Sequence, residues 1–125
     1  MNWVTTAPNA VRTGKYVVLV NGQGVIDESM TGAVSSLISS SKLFGESKVT
    51  VVTTLTKSGE AKISTRATEQ LVQKGVNLGK ILQNLSPKYS GVGGGHAIAA
   101  GATIPSTDLD KFLGDLEKSV DEVLR

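Results

Sequence analysis

The sequence predicts an α/β domain whose core is a mixed sheet of about four to five strands with three main helices. Three observations carry this reading. Short runs rich in β-branched residues, such as Tyr16-Val17-Val18-Leu19-Val20, alternate with longer stretches whose apolar residues recur at helical spacing. Two of the β-runs are separated by a turn of only a few residues and so pair antiparallel. No internal repeat and no low-complexity linker interrupts the 125 residues, so they form one domain spanning 1–125.

Residues 1–14 contain Pro8, Asn9 and Gly14 without periodicity and are expected as an irregular lead-in. Within it, Trp3 serves either as packing on the body or as a partner contact. Tyr16 to Val20 is the first strand, closed by the turn Asn21-Gly22-Gln23-Gly24. Asp27 or Ser29 caps a helix to about Ser40, with Met30, Ala33, Val34, Leu37 and Ile38 on its inner face. Val49 to Thr56 is the second strand, and Lys57-Ser58-Gly59-Glu60 turns the chain into an antiparallel third, Ala61 to Ala67. Alternation sets Ala61, Ile63 and Thr65 on one face and Lys62, Ser64 and Arg66 on the other.

A short helix over 68–74 closes at Gly75. Asn77 caps the next helix, whose stripe is Leu78, Ile81, Leu82 and Leu85, and Pro87 ends it. Lys80 and Lys88 are read as solvated, with extension of a phosphate surface as the alternative. Ala99 to Ile104 is the last strand, stopped by Pro105. Ser106 or Thr107 caps the final helix, which places Asp108 and Asp110 in its first turn and Leu109, Phe112, Leu113, Leu116, Val120, Val123 and Leu124 on its buried stripe.

Composition narrows the function classes. A mean hydropathy of +0.02 and the lack of any apolar run near the ~20 residues of a membrane span point to a globular chain without membrane contact. The absence of cysteine removes thiolate chemistry, and with no secretory pattern at the N-terminus the expected location is cytoplasmic. Net charge is +2, but residues 1–106 carry ten Lys/Arg against five Asp/Glu, whereas residues 107–125 carry three against six. A mildly basic body with an acidic C-terminal segment suits a polyanionic ligand.

The richest stretch is Gly91 to Pro105, with five of the fourteen glycines and the only histidine. Gly93-Gly94-Gly95 in a turn with left-handed angles would let successive N–H groups face one anion, and His96 adds a donor that gains charge near neutral pH. A glycine turn beside a hydrogen-bonded histidine is the structural alternative. A dinucleotide fingerprint fails because His96 stands where its last glycine belongs, and a Walker loop fails for want of a following Gly-Lys-Ser/Thr.

Gly93-Gly94-Gly95-His96, two residues, then Ala99-Ala100-Gly101-Ala102 resembles the signature of the DHH-associated domain, the C-terminal half of DHH phosphoesterases. The resemblance extends through Ser64-Thr65-Arg66 and Val76-Asn77-Leu78-Gly79 and covers roughly residues 16 to 124. With Ala-Gly-Ala-Thr-Ile-Pro following, the chain is most similar to the archaeal RecJ-like branch. The resemblance implies a site for substrate phosphates at Ser64, Arg66, Gly93, Gly94, Gly95 and His96. It also implies single-stranded nucleic acid or an oligonucleotide as ligand, and a protein partner in a replication or repair assembly, such as the GINS complex.

The catalytic half of such phosphoesterases holds divalent metals with clustered aspartates and histidines, and this chain has one histidine and no Asp-His-His triplet. Its one Asp-x-Asp, Asp108-Leu109-Asp110, is placed for helix capping. The expectation is a binding module that is not an enzyme, with no cofactor, no metal and no catalytic residue; a protein-interaction scaffold and the excised substrate-binding half of a nuclease are the alternatives. Its five aromatics are scattered, so binding is expected to be salt-sensitive and indifferent to base identity.

Overall fold

The computed structural model describes residues 11–13, 16–21, 48–56 and 58–124. They contain strands β1 (Val11–Thr13), β2 (Val17–Asn21), β3 (Val49–Leu55), β4 (Glu60–Arg66), β5 (Val92–Gly95) and β6 (Ala99–Pro105). The helices among them are α1 (Glu69–Gln73), α2 (Leu78–Leu85) and α3 (Leu109–Leu124), with 3₁₀ turns at Ser86–Tyr89 and Ser106–Asp108. Trp3 and the helix expected up to Ser40 lie outside the described residues.

All six strands form one mixed sheet in the order β1-β2-β3-β4-β6-β5. Only β2 and β3 run parallel; every other neighbouring pair is antiparallel. Two strands go beyond the pattern visible in the sequence. β1 falls at the end of the supposed irregular lead-in, where three residues pair with β2 through Val11↔Val20, Arg12↔Leu19 and Thr13↔Val18. A run this short has no alternation of its own to detect, and its pairing is supplied by the neighbour. β5 is the glycine run itself.

The hairpin from β3 to β4 closes with Thr56 N–H on the Glu60 carbonyl at 2.8 Å, and Gly59 takes a φ of +83°, the left-handed angle expected of it. Thr68 and Asn77 cap α1 and α2 with their side chains, accepting from the N–H groups of Leu71 and Lys80.

The core lies between one face of the sheet and the three helices. Val17, Val49, Val51, Ala61, Ile63, Ala100, Ala102 and Ile104 meet Leu71, Leu78, Leu82, Leu85, Phe112, Leu116 and Val120 there. Thr65, fully buried on the same face, donates its hydroxyl to the Ala100 carbonyl at 2.8 Å, so its polar atom is satisfied. On the opposite face Val18, Val20 and Val52 are also 0% exposed, so β2 and β3 are covered on both sides. Among the described residues, the open part of this face lies over β4, β6 and β5.

Tyr89 links the last helix to the 3₁₀ turn. Its ring meets Phe112 edge-on at 5.7 Å, and its hydroxyl donates to the Asp115 carboxylate. That hydrogen bond, together with desolvation and the charges of Asp115 and Asp108, raises the phenol above its usual value. A raised folded value means that the contribution is complete below the unfolded value of about 10 and is lost as pH climbs above it. In a Tyr16→Phe background, Asp115→Asn is expected to move the phenolate absorbance midpoint of Tyr89 downward. An unchanged midpoint would show that Asp115 does not hold the proton.

Candidate functional site

Register determines what the open face presents. Lys62 pairs with Thr103, Ser64 with Gly101 and Arg66 with Ala99 across β4 and β6. Val92 pairs with Thr103 and Gly94 with Gly101 across β5 and β6. Directly paired residues point to the same side, so the face away from the helices carries three rows. The first is Lys62, Thr103 and Val92. The second is Ser64, Gly101 and Gly94, in which Ser64 alone has a side chain. The third is Arg66 and Ala99; the chain leaves β5 just beyond it at His96, whose backbone N–H donates to the Ala99 carbonyl at 2.8 Å.

Because the middle row is nearly bare, the face is hollowed. A groove of about 570 Å³ runs over it, lined by Lys62, Ser64, Val92, Gly93, Gly101 and Thr103 among others. Among the described residues the Lys62 ammonium has no hydrogen bond or ion pair. Ser64 is buried at 7% exposure and Val92 stands out at 73%. At the other end Arg66, half-buried, donates from its guanidinium to the Thr65 carbonyl at 2.9 Å. A chain of hydroxyls between two cationic side chains over a floor without Cβ atoms can take an extended anion close to the backbone.

The glycine run has a different shape from the turn that the sequence suggests. Gly93, Gly94 and Gly95 lie in a paired strand, so their N–H groups alternate in direction and do not converge on one point. Gly94 and Gly95 do adopt positive φ, +157° and +143°, but in extended rather than left-handed helical backbone. The missing Cβ also matters at two of the three. At Gly93 it would lie 2.3 Å from Ser86 Oγ, and at Gly95 2.8 Å from Ala100 Cα, so these two glycines admit the neighbouring segments. At Gly94 nothing lies within 4 Å of where a Cβ would stand.

His96 begins the short connection between β5 and β6, which runs from His96 to Ile98. It is exposed and lines a hollow of about 420 Å³ with Glu69, Val72, Gln73 and Ile98, separate from the groove. Across two strand spacings, Arg66 and His96 stand about 10 Å apart at Cα. The structure therefore brings Ser64 and Gly93 to one groove, pairs Gly94 with the groove residue Gly101, sets Arg66 at the end of the same face, and turns His96 toward α1. Lys62 was legible as a cation on the right face. Gly101 and Thr103 were missed as lining residues, although the alternation of β6 marks them once its register with β4 is known.

Helix α2 holds the hairpin tip in place. Leu78 N–H donates to the Ala97 carbonyl and Gly79 N–H to the His96 carbonyl, each at 3.0 Å. A Cβ on Gly79 would come within 2.4 Å of the Gly95 carbonyl oxygen, so only glycine permits this approach. The first orphan N–H groups of the helix are thus satisfied by the tip itself.

Among the described residues no three His, Cys, Asp or Glu side chains gather as a metal site, and no helix is long and apolar enough to cross a membrane.

The DHHA1 domain family model matches residues 13–122. An uncharacterized protein of Methanocaldococcus jannaschii is 34% identical over 65 residues, which make up 52% of this chain and 15% of that protein. The chain thus spans a small part of the curated relative it matches. The C-Ala domain of Aquifex aeolicus alanyl-tRNA synthetase superposes with a TM-score of 0.64 at 14% identity, covering 92% of this chain and 98% of that one. A DHH-domain structure from a member of a family of ribosomal proteins gives a TM-score of 0.69 at 17% identity, covering 99% of this chain and 30% of that one. At these identities the likeness to the solved structures is one of fold.

Proposed function

Since the chain belongs to the DHHA1 domain family, an accessory domain without the DHH catalytic motif, we propose that it binds single-stranded nucleic acid by the phosphate backbone and does not cleave it. The observation that carries this reading is the groove on the outer face of β4, β6 and β5. Lys62 lines it, Arg66 stands at its end, and hydroxyls of Ser64 and Thr103 flank a floor kept low by Gly101. Phosphate contacts of this kind carry no sequence information, so the domain takes any base.

The archaeal RecJ-like resemblance extends the proposal to a cytoplasmic replication or repair assembly with GINS as a partner. Recovery of a nuclease-resistant complex containing GINS from native extract supports that extension, and recovery of free monomer alone overturns it. The small share of its relative that the chain spans favours a second reading, in which the groove is the substrate arm of a longer phosphoesterase.

Fluorescence anisotropy of labelled oligonucleotides across a salt series tests the main reading. The slope of log K against log salt is expected at about −0.7 for each phosphate neutralised, so two cations give roughly −1.4, equal for different base compositions. Manganese or magnesium is expected to leave the oligonucleotide intact. A flat salt dependence, or metal-dependent cleavage by a clean preparation, overturns it.

A further inference from the structure

We infer that the cleft between α2 and α3, on the opposite side of the sheet from the groove, docks an acidic, leucine-bearing segment of another protein. The cleft holds about 330 Å³, at the small end of the range for ligand pockets. Its floor is aliphatic, made by Ile81, Leu85 and Val123, and Val123 is 39% exposed. Its rim carries Lys80 and Lys88, and no carboxylate lines it. Among the described residues neither ammonium has a hydrogen bond or ion pair.

This combination selects the occupant by charge and by apolarity together. The two lysines on the rim attract carboxylates or phosphates. The aliphatic floor takes a branched side chain, whereas single strands bind by stacking bases on aromatic rings, and the cleft has none. The amide of Asn84 on α2, and the side-chain NH2 of Asn77 whose oxygen caps that helix, line the cleft and can meet a peptide backbone. Two helices with an apolar seam between them receive a third amphipathic segment in a familiar way, its apolar residues in the seam and its charges on the rim. Gly75 keeps the end of the seam close, since a Cβ there would meet Val123 Cγ1 at 3.3 Å.

This surface is independent of the nucleic-acid reading and is tested apart from it. The isotopically labelled full chain is titrated with a synthetic peptide of alternating leucine and glutamate pairs while amide resonances are followed. Shifts are expected at Ile81, Asn84, Leu85, Ser119 and Val123. Lys80→Glu with Lys88→Glu is expected to weaken binding at least tenfold, and Val123→Asp, which removes the floor and keeps the lysines, to weaken it as well. Equal shifts with a lysine–leucine peptide overturn the inference, because the charges would not matter. Shifts at the same residues with a labelled oligonucleotide that displaces the peptide also overturn it, and make the cleft part of a nucleic-acid path.

Discussion

Gly79→Val is expected to unfold a large fraction of the protein or to detach the hairpin tip, with a stability loss of about 3 kcal/mol or more. The first added carbon would lie 2.4 Å from the Gly95 carbonyl oxygen, 2.8 Å from Gly95 C and 3.3 Å from His96 N. All three are backbone atoms, so no flexible side chain can swing away. Overpacking alone costs about 1–3 kcal/mol, and here two hydrogen bonds, to the His96 and Ala97 carbonyls, are lost with it at roughly 1 kcal/mol each. Gain in helix propensity over glycine offsets only a few tenths of a kcal/mol for valine. Urea denaturation measures the loss. A variant as stable as the parent would mean that α2 and β5 are farther apart in solution than the structure places them.

Lys62→Ala with Arg66→Ala is expected to weaken oligonucleotide binding by roughly a hundredfold or more while the fold persists. Each charge-assisted contact is worth about 1.5–3 kcal/mol, about ten- to a hundredfold. Lys62 is only half-buried, and Arg66 lies at the strand end, so neither supports the core. The salt slope should fall with the affinity, by about 0.7 for each cation removed. A complementary variant fills the groove without changing charge. Gly101→Val suits this better than Gly94→Val, because Gly101 has ordinary φ and its Cβ would approach only the Ile63 carbonyl at 3.3 Å, whereas any side chain at Gly94 is strained by its φ of +157°. Lys118→Ala on the acidic last helix is the control. Should the double variant bind like the parent, the groove is not the phosphate site.

The elements with strong local patterning were legible in the sequence. Val49 to Leu55, the glycine-closed turn at Gly59, the Asn77 cap and the stripe of the last helix need no distant neighbour to be recognised. The class, α/β with a mixed sheet, followed from them. What escaped was conformation imposed by partners. Gly93-Gly94-Gly95 has no β propensity, and β6 alone makes it a strand. The same cause hid the groove. Its lining joins Lys62 to Thr103 and Ser64 to Gly101, pairs set by the register of β4 with β6, two strands separated by more than thirty residues of chain. His96 and Arg66 were identified by type, but the face Arg66 takes depended on that register, and the side His96 takes depended on how the β5–β6 connection packs beside α1.

The docking of α2 onto the carbonyls of His96 and Ala97 also sets how the tip moves. A surface hairpin with three consecutive glycines before it would ordinarily sample many shapes. Here the tip cannot lift without exposing the amides of Leu78 and Gly79, which belong to a helix whose Leu78 and Leu82 are fully buried in the core. Opening at the tip is therefore tied to disruption of that helix, and the amides of residues 78 and 79 report it by slow hydrogen exchange. In the proposed binding mode, a ligand at β5 and β6 would meet a backbone already held in place by α2. Little ordering entropy would then remain to be lost, which would favour the proposed binding even with few cations.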